Sequence, residues 1–179
     1  MVKRKTCVFI SGQGTNLKNL IYHSRNNNFP VKISLVISSN LNAGGLSYAK
    51  KFNIPYIIID TQSKSYDKKI LFHLRKYNIS FICLAGYMKI ISKNLIKNYR
   101  NRIINIHPSL LPKFKGLNTF SRMLQNKEKK GGCTVHYVNE KLDGGNKITQ
   151  KSFFINAKDD VSDLKKRHKN LSTKLFLRQ

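Results

Sequence analysis

The strongest constraint on the fold is an alternation of short apolar runs with helical apolar stripes that begins almost at the first residue. Cys7–Ile10 continues an apolar run, Ser11-Gly12-Gln13-Gly14-Thr15-Asn16 follows, and Leu17, Leu20 and Ile21 then recur at helical spacing. That predicts strand, tight turn, helix. Val31–Ser38 reads as a second strand, Gly45–Phe52 as a helix, Pro55–Ile59 as a third strand, and Tyr66–Tyr77 as a helix leading to the strand Ile79–Ala85. Near-continuous apolar strands separated by helices favour parallel pairing through right-handed crossovers, in a sheet covered on both faces. Beyond it the pattern predicts a helix over Ile90–Tyr99, a strand over Ile103–Ile106, a helix over Leu117–Gln125, and strands over Thr134–Val138 and Lys147–Phe154 flanking an Asp143-Gly144-Gly145 turn. Val161, Leu164, His168, Leu171 and Leu175 form a last helical stripe after Asp159-Asp160, acids suited to a helix N-terminus. No repeat or linker divides the chain. The expectation is an α/β fold, one open, mostly parallel twisted sheet with helices on both faces, forming a single domain over residues 1–179.

Composition narrows the function classes. The 179 residues hold 34 Lys+Arg against 8 Asp+Glu, a formal net charge of +26, yet 40% are hydrophobic, enough for a buried core. Lys, Asn and Ile number 26, 19 and 19, and all three have A/T-rich codons, so compositional bias accounts for much of the basicity. The remaining charge draws anions in general. The lysines are spread along the chain and no RNP-like, zinc-finger or long basic-tail pattern accompanies them, which disfavours a specific nucleic-acid partner. No apolar run is long enough for a membrane helix and the first residues lack a secretory signal, so the expected location is cytoplasmic, with no membrane partner. Cys7, Cys83 and Cys133 lie in apolar stretches without CxxC spacing, against a disulfide framework or a metal site.

Three segments could carry chemistry. At Gly12-Gln13-Gly14-Thr15-Asn16, glycines allow close backbone approach and the following helix offers N–H donors, so a phosphate could sit there; a plain turn with Thr15 or Asn16 as helix cap fits the segment equally well. Leu17 at the third-glycine position and the absence of Gly-Lys-Ser/Thr exclude the dinucleotide and P-loop fingerprints. In Asn105-Ile106-His107-Pro108, the carboxamide and imidazole share one side of an extended strand and could converge on an oxyanion, with the imidazole moving a proton near neutral pH. Asp143, on a glycine turn, could orient that ring and position a water. All three segments fall at strand ends, where open α/β sheets collect ligands.

On these stretches, Ile10–Asn16, Val36–Asn40, Leu84–Ile90, Asn105–Lys113 with Gly116-Leu117, and Thr134–Gly145, the sequence resembles the phosphoribosylglycinamide formyltransferase family of purine biosynthesis. The resemblance implies the Rossmann-like formyltransferase fold and transfer of a formyl group from the cosubstrate 10-formyltetrahydrofolate to the primary amine of glycinamide ribonucleotide, with no metal. It further implies Asn105, His107 and Asp143 as the catalytic trio and Gly14, Thr15 and Asn16 as the substrate-phosphate loop. Met88, Lys89 and Ile91 then fall in the segment lining the folate site, with the Asp143 loop as another wall.

Departures from the family pattern are specific. Asn118 and Phe120 stand where imidazoles are common, and Lys89 replaces an arginine, keeping charge but losing the planar fork. An approximate alignment puts Lys169-Asn170 where the last helix carries a Glu-His pair, and a shortened C-terminal end is expected. Rival readings are a methionyl-tRNA formyltransferase-like enzyme, a formyltetrahydrofolate-hydrolysing relative, and a degenerate basic nucleic-acid-binding protein. The first two normally carry an additional module, and the third would have no chemical reason to retain all three trio residues.

Overall fold

A computed structural model describes residues 2–175. Its elements are β1 (Arg4–Ile10), α1 (Thr15–Ser24), β2 (Val31–Ser38), α2 (Leu46–Lys51), β3 (Tyr56–Ile58), α3 (Tyr66–Lys76), β4 (Phe81–Leu84), α4 (Lys93–Asn98), β5 (Ile103–His107), α5 (Thr119–Gln125), β6 (Lys130–Tyr137), β7 (Lys147–Phe154) and α6 (Val161–Leu175). The strands are ordered β3-β2-β1-β4-β5-β6-β7, the α/β sheet architecture expected from the alternating pattern. The chain divides into two compact units, Met1–Ile104 and Asn105–Gln179, so that β5 begins in the first and ends in the second.

In the first unit β1 pairs in parallel with both β2 and β4, and β2 in parallel with β3. Cys7, Val8, Phe9 and Ile10 are all fully buried, as are Leu35, Val36 and Ile37, because a central parallel strand is covered on both faces and needs no alternation. α1 buries Leu17, Leu20 and Ile21, the predicted stripe. α3 buries Ile70, Leu71 and Leu74 and stops before Tyr77. α4 begins at Lys93 and not at Ile90, because Ser92 is its cap: the Ser92 hydroxyl accepts from the Leu95 amide at 3.0 Å and donates to Asp67 Oδ1 at 2.5 Å. The cap chemistry outweighs the apolar Ile90-Ile91 pair.

In the second unit β6 and β7 are antiparallel. β6 starts at Lys130, four residues before the predicted Thr134, with Gly131 opposite Phe153 and Gly132 opposite Ser152. α5 starts at Thr119, two residues late, because Asn118 takes a left-handed conformation that no helix can include. Asp160 and Asp163 exchange hydrogen bonds between each one's carboxylate and the other's amide, a reciprocal capping box that fixes the start of α6. Arg167 on that helix is clamped to Asp159 and donates to the Phe154 carbonyl at 2.8 Å.

Candidate active site

The second unit assembles a polar cluster from three separated segments. Asn105 and His107 project from the end of β5, and Asp143 comes from the β6–β7 loop. His107 Nδ1 lies 3.3 Å from Asp143 Oδ2, and Asn105 Nδ2 donates to Asp143 Oδ1 at 3.3 Å. The side chains of His107 and Asp143 are 5% and 8% exposed, so their interaction is little screened by water. Asp143 has φ 46°, a left-handed backbone that Asp tolerates better than most residues. The turn is held by the Gly144 amide donating to the Lys141 carbonyl, and a Cβ on Gly145 would lie 1.8 Å from the Tyr137 carbonyl oxygen. Glycine at 145 is therefore a requirement of the loop that carries the carboxylate.

Two further partners complete the cluster and were not singled out from the sequence. His136, 2% exposed, donates from Nδ1 to the Tyr137 carbonyl at 2.8 Å, and its Nε2 accepts from Asn105 Nδ2 at 3.2 Å. The two amide hydrogens of Asn105 thus go to His136 and Asp143. The Gly116 amide donates to Asp143 Oδ2 at 2.8 Å. A signal for His136 was present: an imidazole interrupts the apolar run predicted as a strand over Thr134–Val138, where a polar ring needs partners if it is buried.

His107 Nε2 donates to the Phe114 carbonyl at 2.8 Å. The loop between them is braced by Thr134, whose hydroxyl donates to the Ser109 carbonyl at 2.6 Å and accepts from the Leu111 amide and from Gln150 Nε2. Burial lowers the pKa of His107, while the Phe114 carbonyl and Asp143 pull the other way without overcoming it. For Asp143 burial pushes upward, but the His136 contact, the Gly116 amide and the nearby imidazoles outweigh it and hold the carboxyl below its usual value. His168 on α6 packs edge-on against Phe120 with ring centroids 5.5 Å apart, and its Nε2 is buried without a hydrogen-bond partner. Burial, with His107 adding to it, pulls its pKa down to about 4.

In the first unit Gly14 and Thr15 stand where β1 gives way to α1. Gly14 has φ 73°, and a Cβ there would lie 2.3 Å from Gly45 Cα, so only glycine fits. Gly14 is itself the N-cap and no side chain caps the helix, which corrects the alternative that Thr15 or Asn16 does so. Neighbouring β4 ends at Leu84, and the chain then runs through Gly86 to the segment carrying Met88, Lys89 and Ile91. The Ser11 amide donates to the Gly86 carbonyl at 3.1 Å and the Met88 amide to the Ser11 hydroxyl at 2.9 Å, tying the two strand ends together. Met88 and Ile90 are 62% and 80% exposed on either side of Lys89, an apolar surface with a cation, which suits a flat ring bearing a carboxylate tail. Lys169 and Asn170 are exposed on α6.

Alternative chemistries find little support. Cys7, Cys83 and Cys133 are buried and unpaired, with burial raising Cys83 and Cys133 to about 12, so none presents a thiolate. Among the described residues no group of three or more His, Cys, Asp or Glu side chains could hold a metal ion, and no helix is long and apolar enough to cross a membrane.

Comparison with known proteins places this geometry in context. A family model described as formyl transferase matches residues 4–179. The chain is 37% identical over 177 residues to phosphoribosylglycinamide formyltransferase of Haemophilus influenzae, covering 97% of this chain and 84% of that protein. It is 36% identical over 178 residues to the trifunctional purine biosynthetic protein adenosine-3 of Homo sapiens, covering 97% of this chain and 18% of that longer protein. The crystal structure of phosphoribosylglycinamide formyltransferase from Anaplasma phagocytophilum superimposes with a TM-score of 0.93 at 34% identity, over 99% of this chain and 84% of that one.

Proposed function

The chain belongs to the formyl transferase family, and on that premise we propose that it is the enzyme that transfers a formyl group from 10-formyltetrahydrofolate to the primary amine of glycinamide ribonucleotide in purine biosynthesis. Within this reading residues 1–179 act as one formyltransferase domain, working on small-molecule substrates in the cytoplasm. The observation that carries it is the convergence of Asn105, His107 and Asp143 through contacts of 3.3 Å, in a chain whose relatives bear that enzymatic name.

The folate donor supplies an activated formyl carbon. As the amine adds, a C–N bond forms to that carbon, negative charge gathers on the formyl oxygen, the bond to the folate nitrogen breaks, and one proton passes from the amine to that nitrogen. Asn105 serves the oxyanion: its two hydrogen bonds, at 3.2 and 3.3 Å, are long enough that exchanging one for a bond to a charged oxygen is favourable. His107 has acceptors at both ring nitrogens, the Phe114 carbonyl and Asp143, so the neutral ring satisfies only one of them. Charge complementarity with the developing oxyanion offsets burial, so the reacting ring is the imidazolium, having taken its second proton from solvent before the amine adds; it donates at Nδ1 to Asp143 and stabilises the oxyanion through its charge. Asp143 in this way holds the second proton and supports water-assisted transfer to the leaving nitrogen.

Gly14, Thr15 and Asn16 take the substrate phosphate, at a left-handed glycine leading into the N-terminus of α1. In this reading Met88, Lys89 and Ile91 are the folate-binding residues of the first unit, and Asp143 that of the second. Purified protein incubated with both substrates, with formylated product and free tetrahydrofolate quantified, tests the reading. Donor hydrolysis without amine formylation, or no turnover at all, would refute it.

A further inference from the structure

The second unit has a cavity of about 640 Å³ that shares no residue with the trio, the phosphate loop or the folate segment. Its apolar lining is Leu110, Phe114 and the buried Met123, with the exposed Pro112 at its edge. Its rim carries Lys127, Lys129 and Lys130, all exposed. The single rim carboxylate, Glu128, is already paired with Lys113 at 2.9 Å, so it does not cancel the field of the other three ammonium groups. The carbonyls at the end of α5 are likewise satisfied, accepting from the amides of Asn126, Lys127 and Glu128. An apolar slot under a cationic rim complements a flat heteroaromatic ring bearing phosphate, and the volume lies within the range of small-molecule sites.

We infer that this cavity is a second binding site, for a nucleoside phosphate, with the base against Leu110 and Phe114 and the phosphate among Lys127, Lys129 and Lys130. A ligand there bears on the catalytic ring, because the lining residue Phe114 offers the carbonyl that takes the His107 Nε2 hydrogen bond at 2.8 Å. Phe114 itself sits at φ 55°, with the Arg122 guanidinium 5.5 Å from its ring centroid. Occupancy therefore changes kcat and leaves the KM for glycinamide ribonucleotide unaltered. That kinetic consequence rests on the formyl transfer reading; the binding does not.

Isothermal titration of the full chain with AMP, in the presence of saturating glycinamide ribonucleotide, separates these points. One AMP is expected per chain, with adenosine and ribose 5-phosphate each weaker by at least about tenfold because each lacks one half of the recognition. Lys127→Gln/Lys129→Gln lowers AMP affinity by at least about tenfold, while Lys32→Gln/Lys76→Gln, at a separate cavity in the first unit, leaves it unchanged. Equal losses in the two double variants, equal affinity for ribose 5-phosphate, binding of a polyglutamate peptide in place of AMP, or no AMP binding at all overturns the site. Binding by an inactive protein preserves the site and refutes only the formyl transfer reading.

Discussion

His107 Nδ1 lies 3.3 Å from Asp143 Oδ2 while the opposite ring nitrogen is committed to the Phe114 carbonyl at 2.8 Å. The ring is thus suspended between two acceptors, and a proton on Nδ1 is stabilised only while the carboxylate is present. Asp143→Asn keeps the shape, and its side-chain oxygen can still accept from the Gly116 amide, but it removes the charge. Its kcat per folded molecule is expected to fall by roughly 10²- to 10⁴-fold, and that of His107→Ala by a similar factor; His107→Ala also lowers the melting temperature, because the Phe114 carbonyl and Asp143 lose a buried partner. Steady-state rates near those of the unaltered protein in either variant would remove the residue from the chemistry.

His136 contacts both Asn105 and Asp143 and is expected to act as a positioning residue for them. His136→Phe preserves the buried volume and leaves Asn105 Nδ2 one acceptor short, a loss of about 1–3 kcal/mol in the buried cluster. The expectation is a decrease in kcat of about 10- to 100-fold with KM values nearly constant, and partial rescue by His136→Gln. A purely structural role would leave kcat per folded molecule intact, with only the melting temperature lowered.

Variants at Thr15 and Gly14 are expected to separate binding from folding at the first loop. Thr15→Ala is expected to raise the KM for glycinamide ribonucleotide several-fold, about 1 kcal/mol, with kcat held. Gly14→Ala places a methyl against Gly45 Cα in a left-handed conformation and costs about 1–3 kcal/mol of stability. Unchanged substrate affinity in Thr15→Ala, measured alongside urea unfolding of both variants, would remove phosphate from this loop.

What the sequence revealed and concealed has a physical pattern. The β1-to-α1 junction was legible because a fully buried strand and an amphipathic helix have different apolar periods, and Leu17, Leu20 and Ile21 lie where those periods put them. The Asn105–His107 pairing was legible because alternate strand residues share a side. The start of β6 was concealed because Gly131 and Gly132 carry no periodic signal, and that of α4 because Ser92 competes with Ile90-Ile91 through a cap that apolar spacing does not record. His136 was overlooked because its partners, Asn105 and Asp143, are far away in sequence, so that only the folded loop shows that its Nε2 has work to do.

His168 makes acid stability a readout of its environment. In the folded protein its pKa is about 4, against an ordinary value of 6.5, so the native ring stays neutral while the unfolded ring takes up a proton between those limits. Stability from this group is present above about pH 6.5 and lost as the pH falls toward 4. Fully expressed, that gap in pKa corresponds to roughly 3 kcal/mol. His168→Leu removes the titrating group and the unpartnered Nε2 while keeping an apolar neighbour for Phe120. The variant is expected to match or exceed the parent at pH 7 and to lose visibly less stability by pH 4.5. The carboxyls lowered at Asp143 and Asp159 lose their contributions below about 3.8, outside the window, and the other lowered imidazoles, His73 and His107, are shared by both proteins. Urea unfolding at several pH values between 4.5 and 7 gives the difference directly; parallel curves for the two proteins would mean that His168 is protonated as readily in the folded chain as in the unfolded one.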